Sequence, residues 1–204
     1  MKKHRVRSDI PYALRLKMEH EAKIVANRNH AAKIIMFCNA VALHEVEGVG
    51  YKRLVKYAFR FKRVIDEFYE DPIVGMEHAK RRMEYMGMPI SGNLFTVEDT
   101  EGKSKKELEI DNHRMQASQI ALICAAIAMN DEFGYAQKRQ ERITEKGIEN
   151  SARYAKEGEG FLLEALEKIG FQIVNGEARC YMDDDGKVLT PKQAQEDGGF
   201  YANN

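Results

Sequence analysis

The chain has no tryptophan, four prolines, three cysteines and no net charge, with 32 Lys plus Arg balanced by 32 Asp plus Glu over 204 residues. Each scarcity excludes a class. Cys38, Cys124 and Cys180 are odd in number and lack paired spacing, which points to free thiols in a reducing compartment and against a disulfide framework. So little proline excludes a collagen-like or proline-rich chain. The absence of net charge excludes a polycationic coat protein. Long apolar runs are missing too. The most apolar stretch, Ile120–Met129 (IALICAAIAM), has ten residues, about half of the ~20 that a bilayer requires. The charged start, MKKHRVRSD, is not followed by the apolar core of a signal peptide. A hydrophobic fraction of 44% is enough for a real core. The expectation is a soluble cytoplasmic protein with no membrane partner.

The zero charge is a cancellation. Residues 1–63 hold 15 Lys or Arg against 5 Asp or Glu, whereas residues 151–204 hold 6 against 10. A basic front and a mildly acidic back bear on partners rather than on fold.

Sliding the chain on itself by 86 residues places 21–54 on 107–140, and 11 of 34 positions are identical. They are Glu21/Glu107, Ile24/Ile110, Arg28/Arg114, Ala31/Ala117, Ile34/Ile120, Cys38/Cys124, Ala40/Ala126, Ala42/Ala128, Gly48/Gly134, Lys52/Lys138 and Arg53/Arg139. Many lie three or four apart, the spacing of one helical face. At an offset of 83, Met86-Gly87-Met88-Pro89-Ile90 falls on Ile169-Gly170-Phe171-Gln172-Ile173, and Gly75 on Gly158. The reading is a mainly α (α+β) protein made of two tandem copies, residues 1–100 and 101–204. Each copy is helix, turn, helix, helix and a short hairpin, and the two pack about a pseudo-two-fold axis as isologous dimers do.

Within the first copy, Ser8 or Asp9 caps a long helix with Pro11 in its first turn, running to about Val46. Its segment AAKIIMFCNAVAL is apolar nearly all round and should pack against Ile120–Met129 at the centre. Gly48 and Gly50 end it, as Gly134 ends its twin. A second helix from Tyr51 to about Tyr69 has a core stripe of Leu54, Ala58, Phe61, Ile65 and Phe68. Asp71-Pro72 starts a third, which Gly87 ends. A hairpin is expected at Met88–Ile90 and Leu94–Val97. In the second copy, Phe171–Val174, Asn175-Gly176 and Ala178–Met182 predict a type I′ hairpin. Lys187–Leu189 would be a third strand and Thr190-Pro191 the cap of a last helix.

Three patterns bear on chemistry. The first is Glu45-x-x-Gly48-x-Gly50-x-Lys52-Arg53 with its twin Asp131-x-x-Gly134-x-x-x-Lys138-Arg139. A glycine turn before a helix with two cations suits an anion. Equally, it is an αα-corner whose acid bridges to the basic pair. The second is the helix Tyr51–Arg63, with Lys52, Arg53, Lys56, Arg60, Lys62 and Arg63, no acid, and interleaved Tyr51, Tyr57, Phe59 and Phe61. That face suits phosphates or an acidic protein surface. The third is the order helix, helix, helix, hairpin, which a winged helix-turn-helix shares; its reading helix would carry Lys80, Arg81 and Arg82. The scattered histidines form no metal motif, no nucleophile–base–orienter set emerges from local spacing, and no cofactor or metal is expected.

The pattern ALHEVEGVGYKRL, echoed by AMNDEFGYAQKRQ, resembles small helical proteins of bacterial prophages and mobile elements, with an apolar helix, an acid, a Gly-rich turn and a Lys-Arg pair. The resemblance implies a phage or mobile-element origin and a role as a DNA-processing accessory or an inhibitor of a host defence enzyme. The expectation is therefore a non-enzymatic binding protein, an anti-defence inhibitor that engages a host nucleic-acid-handling enzyme or nucleoprotein. The binding residues would be Lys52, Arg53, Lys56, Arg60, Arg63, Lys138 and Arg139. The alternatives are a direct DNA- or RNA-binding accessory and an enzyme with its site between the copies. A homodimer is compatible with each.

Overall fold

The computed structural model describes residues 12–90, 105–183, 185–190, 192–194 and 200–201. The charged start MKKHRVRSD with its Ser8/Asp9 cap, Pro11, the expected strand Leu94–Val97 and Pro191 lie outside these residues. Met88–Ile90, the expected first strand of that hairpin, is described and forms no strand. The principal elements are α1 (Tyr12–Glu47), α2 (Tyr51–Glu70), α3 (Pro72–Tyr85), α4 (Lys105–Phe133), α5 (Gln137–Glu157), α6 (Gly160–Ile169), β1 (Gln172–Val174), β2 (Glu177–Arg179), β3 (Tyr181–Met182) and β4 (Phe200–Tyr201).

At 1.5 Å per residue, α1 is about 54 Å long and α4 about 44 Å. They pack on each other at the centre, as their apolar sequences predict. Both run in the same direction: His20 meets Glu109 at 3.5 Å, and further along Tyr57 lies beside both Cys38 and Cys124. The segment Ile120–Met129 is buried except at Leu122, because neighbours cover it on nearly every side.

The covering is crossed. Helix α2 leaves the end of α1 and runs back along α4, while α5 leaves α4 and runs back along α1. The Tyr57 ring stacks on Phe133 at 6.3 Å between centroids. On the other side, Asn150 Nδ2 donates to the Cys38 carbonyl at 3.2 Å and His30 meets the Tyr154 hydroxyl at 3.0 Å. Helix α3 closes over α4 and α6 over α1. One hydrophobic cluster therefore joins Leu43, Leu54 and Phe61 to Ile127, Ile143 and Leu166. Truncating a side chain so buried costs about 2–5 kcal/mol.

The two corners have matching backbone. Gly48 and Gly134 take φ of 63° and 66°, a left-handed conformation that costs other residues about 1–2 kcal/mol. Their N–H groups donate to the carbonyls of His44 and Asn130 at 2.9 and 2.8 Å. The same two side chains then close the turn: His44 Nδ1 donates to the Val49 carbonyl at 3.1 Å, and Asn130 Nδ2 to that of Tyr135 at 3.2 Å. Helices α2 and α5 begin at extended Gly50 and Ala136, and neither has a side-chain cap.

Asp71 caps α3 through Oδ1, which accepts from the N–H groups of Ile73 and Val74, with Pro72 in the first turn. Helices α3 and α6 end alike. Gly87 and Gly170 have positive φ, Met88 N–H donates to the Met83 carbonyl and Phe171 N–H to that of Leu166. The expected match of Gly75 with Gly158 is not kept. Gly75 lies inside α3, where a Cβ would come within 2.7 Å of the Phe68 carbonyl oxygen, whereas Gly158 caps α5.

Asn175 and Gly176, with φ of 53° and 77°, form the expected type I′ turn between β1 and β2. The expected strand Ala178–Met182 is divided at Cys180. In the observed register Arg179 faces Gln172, so Cys180 would face Phe171, which the α6 cap already holds. Tyr181–Met182 pairs instead with Phe200–Tyr201, and the expected strand Lys187–Leu189 is reduced to a bridge from Val188 to Met182. Residues 192–194 form a helical turn capped by Thr190, whose Oγ1 accepts from Gln193 N–H while Gln193 Oε1 accepts from Thr190 N–H.

Candidate functional site

Because α1 and α4 are parallel, both glycine corners lie at one end of the molecule, and the first turns of α2 and α5 start there. Lys52, Arg53, Lys138 and Arg139 thus share an end, although 86 residues separate the pairs. Neither first turn contains an acid, so these cations are set against the positive pole of their own helices.

The acids of the two motifs do not bridge to their own basic pairs, as the corner alternative requires; each reaches across to the other half. Asp131 Oδ2 accepts from Arg60 Nε of α2 at 2.7 Å, and its Oδ1 accepts a second bond from Arg82 of α3. In the reciprocal direction Glu45 meets Lys146 of α5 at 3.7 Å, and Glu47 accepts from Arg142 at 2.7 Å. The Lys-Arg pairs sit in the first turns beyond the corner, where each arginine is occupied by an aromatic ring: Arg53 lies over Phe133 at 4.8 Å and Arg139 over Tyr135 at 5.1 Å.

The predicted binding residues therefore separate into three groups. Arg60 is tied to Asp131. Arg63 pairs with Glu67, as Lys62 does with Asp66, which neutralises that stretch of α2 around an open hollow lined also by Phe59 and Glu70. Lys52, Lys56 and Lys138 are exposed and have no carboxylate partner among the described residues, while Arg53 and Arg139 present half-stacked guanidinium groups. Arg53 and Arg60 both point to the end of α4, and Lys56 lies one turn from each on the same face.

Four residues outside the predicted set lie beside this surface. A hollow of about 270 Å³ between α3 and α4 is lined by Arg81, Arg82, Tyr85 and Asn130. It joins the corner directly. Asn130 bonds to Tyr135, whose ring carries Arg139, and the end of α3 touches α5, with Gln140 Nε2 donating to Met86 Sδ at 3.7 Å. Tyr85 is 90% exposed. The signal for it was its phase: Met76, Ala79, Met83 and Met86 mark the inward stripe of α3, and Tyr85 falls off that stripe. The winged-helix alternative loses Arg82 as a reading residue, since Asp131 holds it.

Contacts tie Arg53, Arg60, Arg82 and Arg139 to the segment 131–135, and Arg81 lines the hollow beside Asn130. Lys52 and Lys56 neighbour Arg53 along α2 and Lys138 precedes Arg139 on α5, while Glu45, Glu47 and Asp131 bring carboxylates to the same end. The thiols are elsewhere. Burial pushes Cys38, Cys124 and Cys180 up to about 12, so they are protonated packing groups. Among the described residues no cluster of three or more His, Cys, Asp or Glu is placed to hold a metal ion, and no helix is long and apolar enough to cross a membrane. Comparison of the chain with family models, curated proteins and solved structures finds no match.

Proposed function

We propose that this is a non-enzymatic nucleic-acid-binding protein whose phosphate-contacting surface is the cationic end around the corner 130–139. The observation that carries this reading is the convergence there of Lys52, Lys56 and Lys138, without carboxylate partners among the described residues, with the ring-stacked Arg53 and Arg139. The first turns of α2 and α5, which carry these residues (Lys56 one turn further on), begin at the same end of the molecule and contain no acid, and α3 adds Arg81 beside Asn130. Such a surface exchanges bound counterions for phosphates. The seam hollow holds arginines, a tyrosine and an asparagine rather than a nucleophile beside a base, which favours binding over catalysis.

Fluorescence anisotropy with labelled oligonucleotides across a salt series tests the reading. About four phosphate contacts would give a log–log salt slope of about −3. The variant Lys52→Glu/Lys56→Glu/Lys138→Glu, which leaves every described ion pair intact, should lose most affinity and flatten the slope. Unchanged binding by that variant, or no binding by the parent at low salt, overturns the proposal. An inhibitor of a host nucleic-acid-handling enzyme, as the prophage resemblance implies, would use the same cations against an acidic protein face. Binding to a purified enzyme without binding to oligonucleotides is the result that would select it.

We also infer that the two halves descend from one doubled unit. The corners of like φ, the closing bonds of His44 and Asn130, and the reciprocal pairs Glu45–Lys146 and Asp131–Arg60 all fall at the offset of 86 found in the sequence. Relatives of this chain should keep the acids at 45 and 131 together with the bases at 146 and 60; independent loss of one pair would argue against it.

A further inference from the structure

The cationic end does not distinguish a duplex from a single strand, but Tyr85 does. The geometry points to Tyr85 as a stacking platform for an unpaired base, which makes the partner single-stranded nucleic acid; this rests on the nucleic-acid reading above. The Tyr85 side chain is 90% exposed, more than any other large apolar or aromatic side chain among the described residues, Ile73 of the same helix at 77% included. The Tyr85 ring has no aromatic, cationic or hydrogen-bonding partner among the described residues, whereas Tyr51, Tyr57, Phe133 and Tyr154 each meet another ring, and Tyr69 and Tyr135 each meet a ring and an arginine. It stands at the mouth of the hollow that contains Arg81 and Arg82.

The surroundings fit a nucleotide in both its parts. Arg81 is held only by Glu77 at 3.8 Å among the described residues, with both side chains largely exposed, so its guanidinium is available to a phosphate. Arg82 is fixed by Asp131 and keeps the wall of the hollow in place. The backbone path then continues over Asn130 toward Lys138 and Arg139 on one side and Arg53 and Lys56 on the other. An exposed aromatic beside a tract of cations is the arrangement that binds single strands with little sequence preference. A base paired inside a duplex offers no free face to Tyr85.

The absence of tryptophan supplies the experiment. A Tyr85→Trp variant carries one indole, at the proposed contact. Its emission should be quenched by oligothymidylate and stay nearly constant with a blunt duplex of equal charge. Tyr85→Ala should weaken oligothymidylate binding by about 5- to 150-fold, the cost of one lost stack, and leave duplex affinity as it was. Circular dichroism of both variants should match the parent, because the ring is almost wholly in solvent. Oligothymidylate that binds the Tyr85→Trp variant without quenching its indole, or that binds Tyr85→Ala as tightly as the parent, overturns the stacking proposal while the wider reading of the cations stands. Failure of both single strand and duplex to bind overturns the two together.

Discussion

Replacing Asp131 by Asn should loosen the hold of the second half of the chain on α2 and α3. The change preserves shape and removes the charge that two arginines share. The Asp131 side chain is 13% exposed, while Arg60 and Arg82 are 33% and 38% exposed. Breaking a fully buried pair costs about 3–5 kcal/mol, and an exposed pair is worth about 0–1 kcal/mol. A nearly buried carboxylate between two half-exposed guanidinium groups falls between these limits, at about 2 kcal/mol. For a chain of this size that lowers Tm by about 4–8 °C. The reciprocal site is the internal control. Glu45 and Lys146 are 45% and 36% exposed and 3.7 Å apart, so Glu45→Gln should cost less than about 1 kcal/mol. Thermal unfolding followed by circular dichroism measures both. Adding Arg60→Gln to Asp131→Asn should cost less than the sum of the two single changes, because they remove the same contact. A Tm loss for Asp131→Asn no larger than that for Glu45→Gln would refute the idea that the corner acid clasps the halves together.

Two further outcomes follow from buried groups. Tyr57 is fully buried and its hydroxyl has no hydrogen-bond partner among the described residues, so Tyr57→Phe should raise stability by about 1 kcal/mol through the polar group it no longer strands; a lower Tm would mean the hydroxyl is satisfied. Burial holds the thiols of Cys38, Cys124 and Cys180 near 12, so at pH 8 all three are protonated and should react with a disulfide reagent only after denaturation. Their thiolates would gain population only as the pH rises toward that value, and prompt labelling of the native protein at pH 8 would contradict the packing.

What could be read from the sequence was what the chain decides locally. Gly48 and Gly134 end helices because their own backbone requires a left-handed turn, and Asp71-Pro72 starts one because both residues suit the first turn. The stripe from Leu54 to Phe68 repeats at helical spacing, and all five of its members are buried. The crossed covering was not legible, since nothing local says whether α2 lies on α1 or on α4. The same gap hid the partners of Asp131: Arg60 is 71 residues away and Arg82 49. Of the predicted basic face, Lys52 and Lys56 kept free charge and Arg60 and Arg63 did not, because the carboxylates that take them come from the far half in one case and from the next turn in the other. Tyr85 could be seen only as a residue out of phase; its exposure and its place beside Asn130 are tertiary facts.

The exchange of covering helices has a consequence for how this polypeptide comes into being. Neither half brings its main cover: α2 lies chiefly on α4 and α5 chiefly on α1, so either half synthesised alone would leave much of its long apolar helix bare. During translation the leading half must wait, greasy side outward, until its counterpart emerges. The final structure should then form in a single concerted event, with no stage at which one lobe stands complete without the other.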